Sequence, residues 1–157
     1  MKYLLAIIAF ALISGCGFRP VYSTGANANY AGGVITVPPI AGRSGYMLRR
    51  ALQEELAIGL PDVTDPSTLK VELSESLTRL TFKPDGQASR SSVVASARYT
   101  LSRESNSVSG SATSEANYAV PSSPYADISA QKGASDRAVR LLAKRIVDDL
   151  RLQLSKD

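Results

Sequence analysis

Several residue types that common catalytic and metal sites require are absent, or nearly absent, from this 157-residue chain. It contains no histidine and no tryptophan, and its single cysteine is Cys16. Zinc sites of the usual Cys/His kind, Ser-His-Asp triads and Cys-His pairs are therefore excluded, and no disulfide can form within one chain. No Ser-x-x-Lys motif lies in a convincing turn, and no phosphate loop or GxGxxG turn occurs. We expect no catalytic residues, no metal and no cofactor.

Charge of one sign is also not concentrated anywhere in the chain. The 18 basic and 14 acidic residues give a net charge of +4, and no run of five or more lysines and arginines occurs. A mildly basic balance without a polybasic tail gives no indication of nucleic acid binding. Any anion-binding site must therefore be assembled by the fold from dispersed residues.

The amino-terminal stretch has the layout of a bacterial lipoprotein signal. A positive start at Met1-Lys2 precedes an apolar run over residues 3–13, and Ser14-Gly15 leads into Cys16. The run is shorter than the roughly 20 apolar residues of a membrane span. We predict that residues 1–15 are removed and that Cys16 becomes an N-acylated (palmitate-type) diacylglyceryl cysteine, which anchors the chain to a membrane without spanning it. The alternative is a buried thiol that happens to follow a signal.

The residues after the anchor divide into a tether and one domain. Gly17 in place of aspartate favours sorting to the outer membrane. Residues 16–32 are rich in Ser, Thr, Gly, Ala and Asn, which is typical of a lipidated tether, and residues 33–157 are long enough for a single core. Phe18 and Tyr22 lie beside the lipid, either as a membrane-proximal aromatic pair or as part of a docking segment.

Hydrophobic periodicity predicts the order β-α-β-β-β-α. Ser44 is the predicted helix cap, Gly59 the predicted C′ glycine, and a bulge or twist is expected near residues 76–79, where Leu77, Leu80 and Phe82 break the alternation. The predicted strands are 33–38, 69–82, 91–103 and 108–120, and the predicted helices are 46–58 and about 135–154, the latter starting as early as Tyr125.

This order indicates an α+β fold, a two-layer sandwich. The first β-α-β crossover makes strands one and two parallel, and the remaining strands form an antiparallel meander. Both helices are amphipathic, so we expect both to cover the apolar face of a four-stranded mixed sheet. The opposite face is rich in Ser and Thr and faces solvent or a partner.

Strand direction sorts the connecting loops into two ends of the domain. The predicted loops at residues 38–45, 83–90 and 121–133 share the end away from the tether. They contain four basic residues against Asp85 and Asp127, namely Arg43, Lys83, Arg90 and Lys132. Such a tip can hold an anionic lipid head group through charge-assisted hydrogen bonds, or it can simply carry charges for solubility.

The chain resembles the LPS-assembly lipoprotein family LptE. The most specific shared segment is Cys-Gly-Phe-Arg-Pro-Val-Tyr at residues 16–22. A short strand and the helix over 46–58 follow. The hairpin with Asp85-Gly86 and Arg90, the strand ending at Leu101, and the long last helix through residues 146–150 complete the likeness. The resemblance covers essentially the whole mature chain.

The resemblance implies a non-enzymatic lipoprotein on the periplasmic side of the outer membrane. Members of the family plug the large outer-membrane β-barrel LptD, help it assemble, and bind lipopolysaccharide through basic loop residues. By loop position, those residues are Lys83 and Arg90 first, then Lys132 and Arg43. Two alternatives remain: an auxiliary lipoprotein of a lipid-transport ABC system, and a hydrolase that uses a serine and a lysine.

Overall fold

A computed structural model of the protein describes residues 35–61, 63–104 and 106–155. Cys16, the predicted signal over 1–15, the tether over 16–32 and the first two residues of the predicted strand one lie outside these ranges. The elements, in chain order, are β1 (Ile35–Thr36), α1 (Gly42–Leu56), β2 (Ser67–Phe82), β3 (Ala88–Ser102), β4 (Ser107–Ala119) and α2 (Pro124–Leu154).

The predicted topology is confirmed. The four strands lie in the order β1-β2-β3-β4. Ile35 of β1 pairs in parallel with Ser67, whereas β2–β3 and β3–β4 are antiparallel. Each of the three long strands places alternate residues under the helices, and the core cluster consists of these residues together with buried stripes of both helices.

The helix-side face of β3 and β4 is built largely of small side chains. Ala95 and Ala97 of β3 lie opposite Ser114 and Ala112 of β4. The Ser114 hydroxyl donates a hydrogen bond of 2.7 Å to the backbone carbonyl of Ala138 in α2. Small residues on the strands therefore let the backbone of α2 approach the sheet closely.

The helix α1 begins earlier than the sequence indicates. Ser44 is not its cap: the N-cap is Ala41, which makes no side-chain hydrogen bond, and Ser44 lies within the first turn. Its hydroxyl instead lies 3.2 Å from that of Ser135 in α2. Ser44 therefore contacts the other helix and does not cap its own. At the other end, Gly59 has a φ of +87° but is not the C′ residue as predicted: Ala57 is the C-cap, so Ile58 is C′ and Gly59 follows it.

The helix α2 begins at Pro124, one residue before the earliest predicted start at Tyr125. Ser123 is extended, and Pro124 occupies the first turn, where its fixed φ is favourable and its missing N–H costs nothing. The helix runs for 31 residues, so residues 124–133 are helical and not a loop. Its fully buried stripe includes Val139, Leu142, Ile146 and Leu150.

The bulge in β2 exists but lies beyond its predicted position. Arg79 pairs with Ser91, whereas the next paired residue, Thr81, faces Arg90, so Leu80 has no partner. Leu77 does not break the alternation, because it lies opposite Val93 on the helix-side face. The sequence pattern marks Leu80 and Phe82 as out of phase but does not identify the residue that the bulge adds.

The outer edge of β4 is covered by two arginines of α2. Arg137 donates to the carbonyl oxygen of Asn117 at 3.2 Å, and Arg145 donates to that of Thr113. Two charged side chains of α2 therefore hydrogen-bond to the sheet. Charged side chains over an edge strand also block the addition of a further strand.

A buried tyrosine fastens the second half of α2 to the sheet. The Tyr99 hydroxyl donates to Asp149, and Gln153 donates to both Asp149 (3.1 Å) and the Tyr99 oxygen (3.3 Å). The ring crosses β4 at Gly110, which lies directly opposite Tyr99. A Cβ atom on Gly110 would lie 2.5 Å from Tyr99 Cζ, so the tyrosine requires glycine at this position.

We predict that Gly110→Ala destabilises the domain by about 1–3 kcal/mol, because Tyr99 must leave its position. The matched control is Gly133→Ala in α2, where a Cβ would meet only Arg137 Nη1 at 3.6 Å. Alanine there should stabilise by about 0.5–1 kcal/mol through helix propensity. Urea unfolding followed by circular dichroism measures both, and equal effects of the two changes would contradict the packing argument.

Tyr99 also predicts how stability changes at alkaline pH. Burial, with the hydrogen bond to Asp149 and the negative charge of that group, raises the pKa of Tyr99 well above its usual value near 10. The unfolded chain loses this proton first, so the contribution is complete below about pH 10 and falls above it, by up to about 1.4 kcal/mol per pH unit.

Tyr99→Phe should therefore lower the unfolding free energy at pH 7 by about 1–3 kcal/mol and flatten its decline above pH 10. The control is Tyr46→Phe, since Tyr46 is 61% exposed. Unfolding curves between pH 8 and about pH 11 test both variants. A decline as steep in Tyr99→Phe as in the unmodified protein would show that another group is responsible.

Candidate functional site

A cleft of about 450 Å³ opens where the helices meet the far half of β2. The first turn of α1 and the first half of α2 form its walls, and β2 and β3 form its floor. Its volume lies in the range of pockets that hold small molecules. The lining residues are Arg43, Ser44, Glu75, Ser76, Leu77, Val93, Ile128, Gln131, Lys132 and Ser135.

A polar network fixes the inner wall of the cleft. Ser135 donates a hydrogen bond of 2.7 Å to Glu75 Oε1, and Ser44 Oγ lies 3.2 Å from Ser135 Oγ. These contacts connect β2, α2 and α1. The carboxylate of Glu75 is thus already engaged by the protein itself.

The two cations at the cleft are held differently. Arg43 Nη2 forms an ion pair of 3.0 Å with Asp136 Oδ2 of α2, and its side chain is half exposed. A guanidinium has five N–H donors, so this pair leaves others for a ligand. Lys132 is exposed on α2 at the rim of the same cleft.

Apolar side chains continue from the cleft to the open surface. Leu77 and Ile128 line it and are about half exposed, at 45% and 52%. Tyr125 at the start of α2 and Leu80 and Phe82 near the end of β2 are also exposed. Large apolar residues that none of the described residues covers mark surfaces for ligands or partners.

The four basic residues predicted from the sequence divide into two groups. Arg43 and Lys132 line the cleft, whereas Lys83 and Arg90 do not. Lys83 lies in the exposed turn after β2, where its N–H donates to the Gln87 carbonyl, and Arg90 is an exposed residue of β3 opposite Thr81 and Ala119. Only Lys83 therefore lies in a loop, because the structured elements extend farther than the sequence suggests.

Sequence reasoning missed Glu75, Leu77, Ile128 and Ser135 as lining residues. Alternation identifies Leu77 as a helix-side residue, and helical spacing groups Ile128 and Ser135 on one side of α2. Neither pattern shows that the helix layer stops short of the end of β2. The cleft exists because of that difference in length.

Within residues 35–61, 63–104 and 106–155, no three or more acidic or cysteine side chains come together as metal ligands could. None of the helices in those ranges is both long and apolar enough to cross a membrane.

The fold and cleft define a small two-layer α+β domain whose layout recurs in solved bacterial lipoproteins. A Caulobacter crescentus CB15 protein provisionally described as a lipoprotein shares 25% identity, with a TM-score of 0.64 over 82% of this chain and 95% of that one. Rare lipoprotein B from Shewanella oneidensis shares the fold at 12% identity, with a TM-score of 0.61 over 78% of this chain and 95% of that one. A minor lipoprotein from Acinetobacter baumannii does so at 14% identity, with a TM-score of 0.53 over 76% and 91% of the two chains.

The sequence itself places the chain in a family. Residues 33–154 match the family described as LptE, lipopolysaccharide-assembly. The chain therefore belongs to the LptE lipopolysaccharide-assembly family, and the resemblance seen in its sequence is confirmed. No curated protein sequence matches the chain.

Proposed function

We propose that the protein is a non-enzymatic lipoprotein of the outer membrane that plugs and helps assemble an LptD-like export barrel and binds lipopolysaccharide. In this proposal residues 1–15 are a signal, acylated Cys16 is the anchor on the periplasmic side, and residues 16–32 tether a domain over 33–157. The observation that carries the lipid-binding part is the cleft in which Arg43 and Lys132 adjoin Leu77 and Ile128.

The chemistry of the cleft suits a phosphorylated, acylated lipid. Lysine and the remaining donors of Arg43 form charge-assisted hydrogen bonds with phosphate oxygens. Leu77 and Ile128 offer an apolar surface beside them, where acyl chains lose contact with water. Asp136 is paired with Arg43, whereas Glu75 accepts a hydrogen bond from the neutral Ser135 hydroxyl and keeps its negative charge. Lys132 is the cation we expect to matter most.

The character of the opposite face of the sheet supports the proposal that the protein plugs a barrel. It presents hydroxyl pairs across β3 and β4, with Ser96 and Thr113 at 3.1 Å and Thr100 and Ser109 at 3.0 Å. All four lie on the side away from the helices. The same face also carries Lys70, Glu72, Arg98 and Glu115. The lumen of a large barrel is polar and hydrated, so a surface of hydroxyl and charged groups can lie against it and stay hydrated.

Lys83 and Arg90 form the second candidate group for the lipid. They lie at the hairpin end of β2 and β3, outside the cleft. Reversing the charge of Lys132 in one variant, and of Lys83 and Arg90 in another, distinguishes a lipid site in the cleft from one at the hairpin.

We predict that Lys132→Glu weakens lipopolysaccharide binding by at least about tenfold, since one charge-assisted hydrogen bond is lost and a repulsion is gained. The comparison variant Lys83→Glu/Arg90→Glu should retain most of the affinity. Binding of labelled lipopolysaccharide to the purified full-length protein measures both, with circular dichroism to verify folding. The opposite ranking would move the site to the hairpin, and unchanged binding in both variants would remove these residues from the mechanism.

The barrel partner is tested separately. Tagged protein purified from detergent-solubilised outer membranes should bring down one large β-barrel protein. The matched control carries Cys16→Ser, which removes the lipid anchor, and should recover the barrel at background level because the domain is not delivered to the membrane. Recovery of no large barrel with the unmodified bait would count against the plug.

A further inference from the structure

The outer edge of β2 is left open over much of its length. β1 pairs with β2 at Ser67 and Thr68, and no other described strand pairs with β2 on this side, although β2 continues to Phe82. Residues 74–82 are all exposed. On the other side, β3 pairs with residues 68–79 without interruption. Alternate residues of β2 therefore direct N–H and C=O groups away from the sheet with no strand to receive them.

The two edges of the sheet differ in whether side chains cover them. Arg137 and Arg145 hydrogen-bond to carbonyls along β4 and so cover that edge. On β2, the bulge at Leu80 disturbs pairing beyond Arg79, but residues 73–79 keep a regular register with β3. An exposed, regular edge of this kind is a template for another strand.

The side chains along this edge have opposite character on the two faces. Leu73 and Leu77 point to the helix side, where Leu77 joins the cleft with Ile128. Ser74, Ser76 and Thr78 point to the other side. Glu75 and Arg79 alternate with these leucines on the helix side. A strand lying beside β2 would therefore meet an apolar or a charged side chain with every second residue and hydroxyl groups with the others.

The charges on the helix side specify the incoming strand further. Arg43, Arg79 and Lys132 lie at or beside the cleft, together with the carboxylates of Glu75 and of Asp136, which is paired with Arg43. An acidic residue on the incoming strand would be attracted to Lys132 and Arg79. A basic residue beside Lys132 would be repelled.

We propose that the edge of β2 over residues 73–79 binds an extended polypeptide segment that alternates apolar and polar residues and adds to the sheet as a fifth strand. Transmembrane β-barrel strands have this alternation, so the inference extends the assembly part of the proposed function. It concerns backbone pairing and does not depend on lipopolysaccharide binding. β1 enters the sheet beside Ser67, at the opposite end of β2 from Phe82, so the open edge lies away from where β1 joins.

The test uses a labelled peptide of about ten residues, the length of a barrel strand, that alternates valine with threonine and carries one aspartate. Added to the full-length protein in detergent, it should slow hydrogen exchange at alternate amides of residues 73–79. N-methylation along one edge of the peptide should weaken binding by at least about tenfold, because those N–H groups donate to β2. N-methylation along the other edge should leave binding unchanged.

A matched pair of protein variants locates the site. Leu77→Lys should weaken peptide binding by about tenfold or more, whereas Leu152→Lys, at a 61% exposed leucine of α2, should not. Equal binding of a scrambled peptide, or slowed exchange in α2 without any in β2, would overturn the proposal. Self-association of the protein that Leu77→Lys abolishes would also overturn the proposal, because the edge would then bind a second copy of this chain. If lipopolysaccharide still binds when the peptide does not, the proposed lipid site is unaffected.

Discussion

The close packing of α2 against β3 and β4 is the contact on which the rest of the molecule depends. It requires small residues on the strands, such as Ala97 and Ala112, and a glycine at position 110 that makes room for Tyr99. The Ser114 hydroxyl reaches the helix backbone at 2.7 Å, and the Tyr99–Asp149 contact fastens the far half of the helix. Because α1 packs on α2, the position of α1 follows from the same contact.

The helix layer covers the far ends of β3 and β4, where Ser91 and Tyr118 are buried, but it leaves the far half of β2 uncovered. β2 has 16 residues, but β1 accompanies only two of them and all residues from 74 onward are exposed. The cleft and the open edge both result from this mismatch. Leaving Leu77 and Ile128 half exposed forgoes part of the roughly 1.5–3 kcal/mol that full burial of each would contribute. A surface retained at that cost is consistent with a ligand or partner that covers it.

The sequence predicted whatever depends on local periodicity. Alternation in β3 and β4 and the stripe of Val139, Leu142 and Ile146 determine the element order, and the crossover rule determines which strands are parallel. Features that depend on contacts between distant residues were missed or misplaced. Serine is a common N-cap residue, yet the Ser44 hydroxyl contacts that of Ser135, 91 residues away in the sequence. Arg43, Arg90 and Lys132 were assigned to loops because propensity does not show how far tertiary contacts extend a helix or strand. The cleft was not predictable, since it depends on where the two layers end.

The two proposed ligands meet at the same residues. Phosphate groups and an acidic strand residue would both use Lys132, and acyl chains and an apolar strand residue would both cover Leu77. Arg43 already pairs with Asp136, so Lys132 is the main cation of the cleft that either ligand would use. Occupancy of the edge by a strand would therefore compete with lipid binding in a single molecule. Such competition would suit a protein that first pairs with a strand of an unfinished barrel and later receives lipid. The cleft would become available to lipid only when the strand has left it.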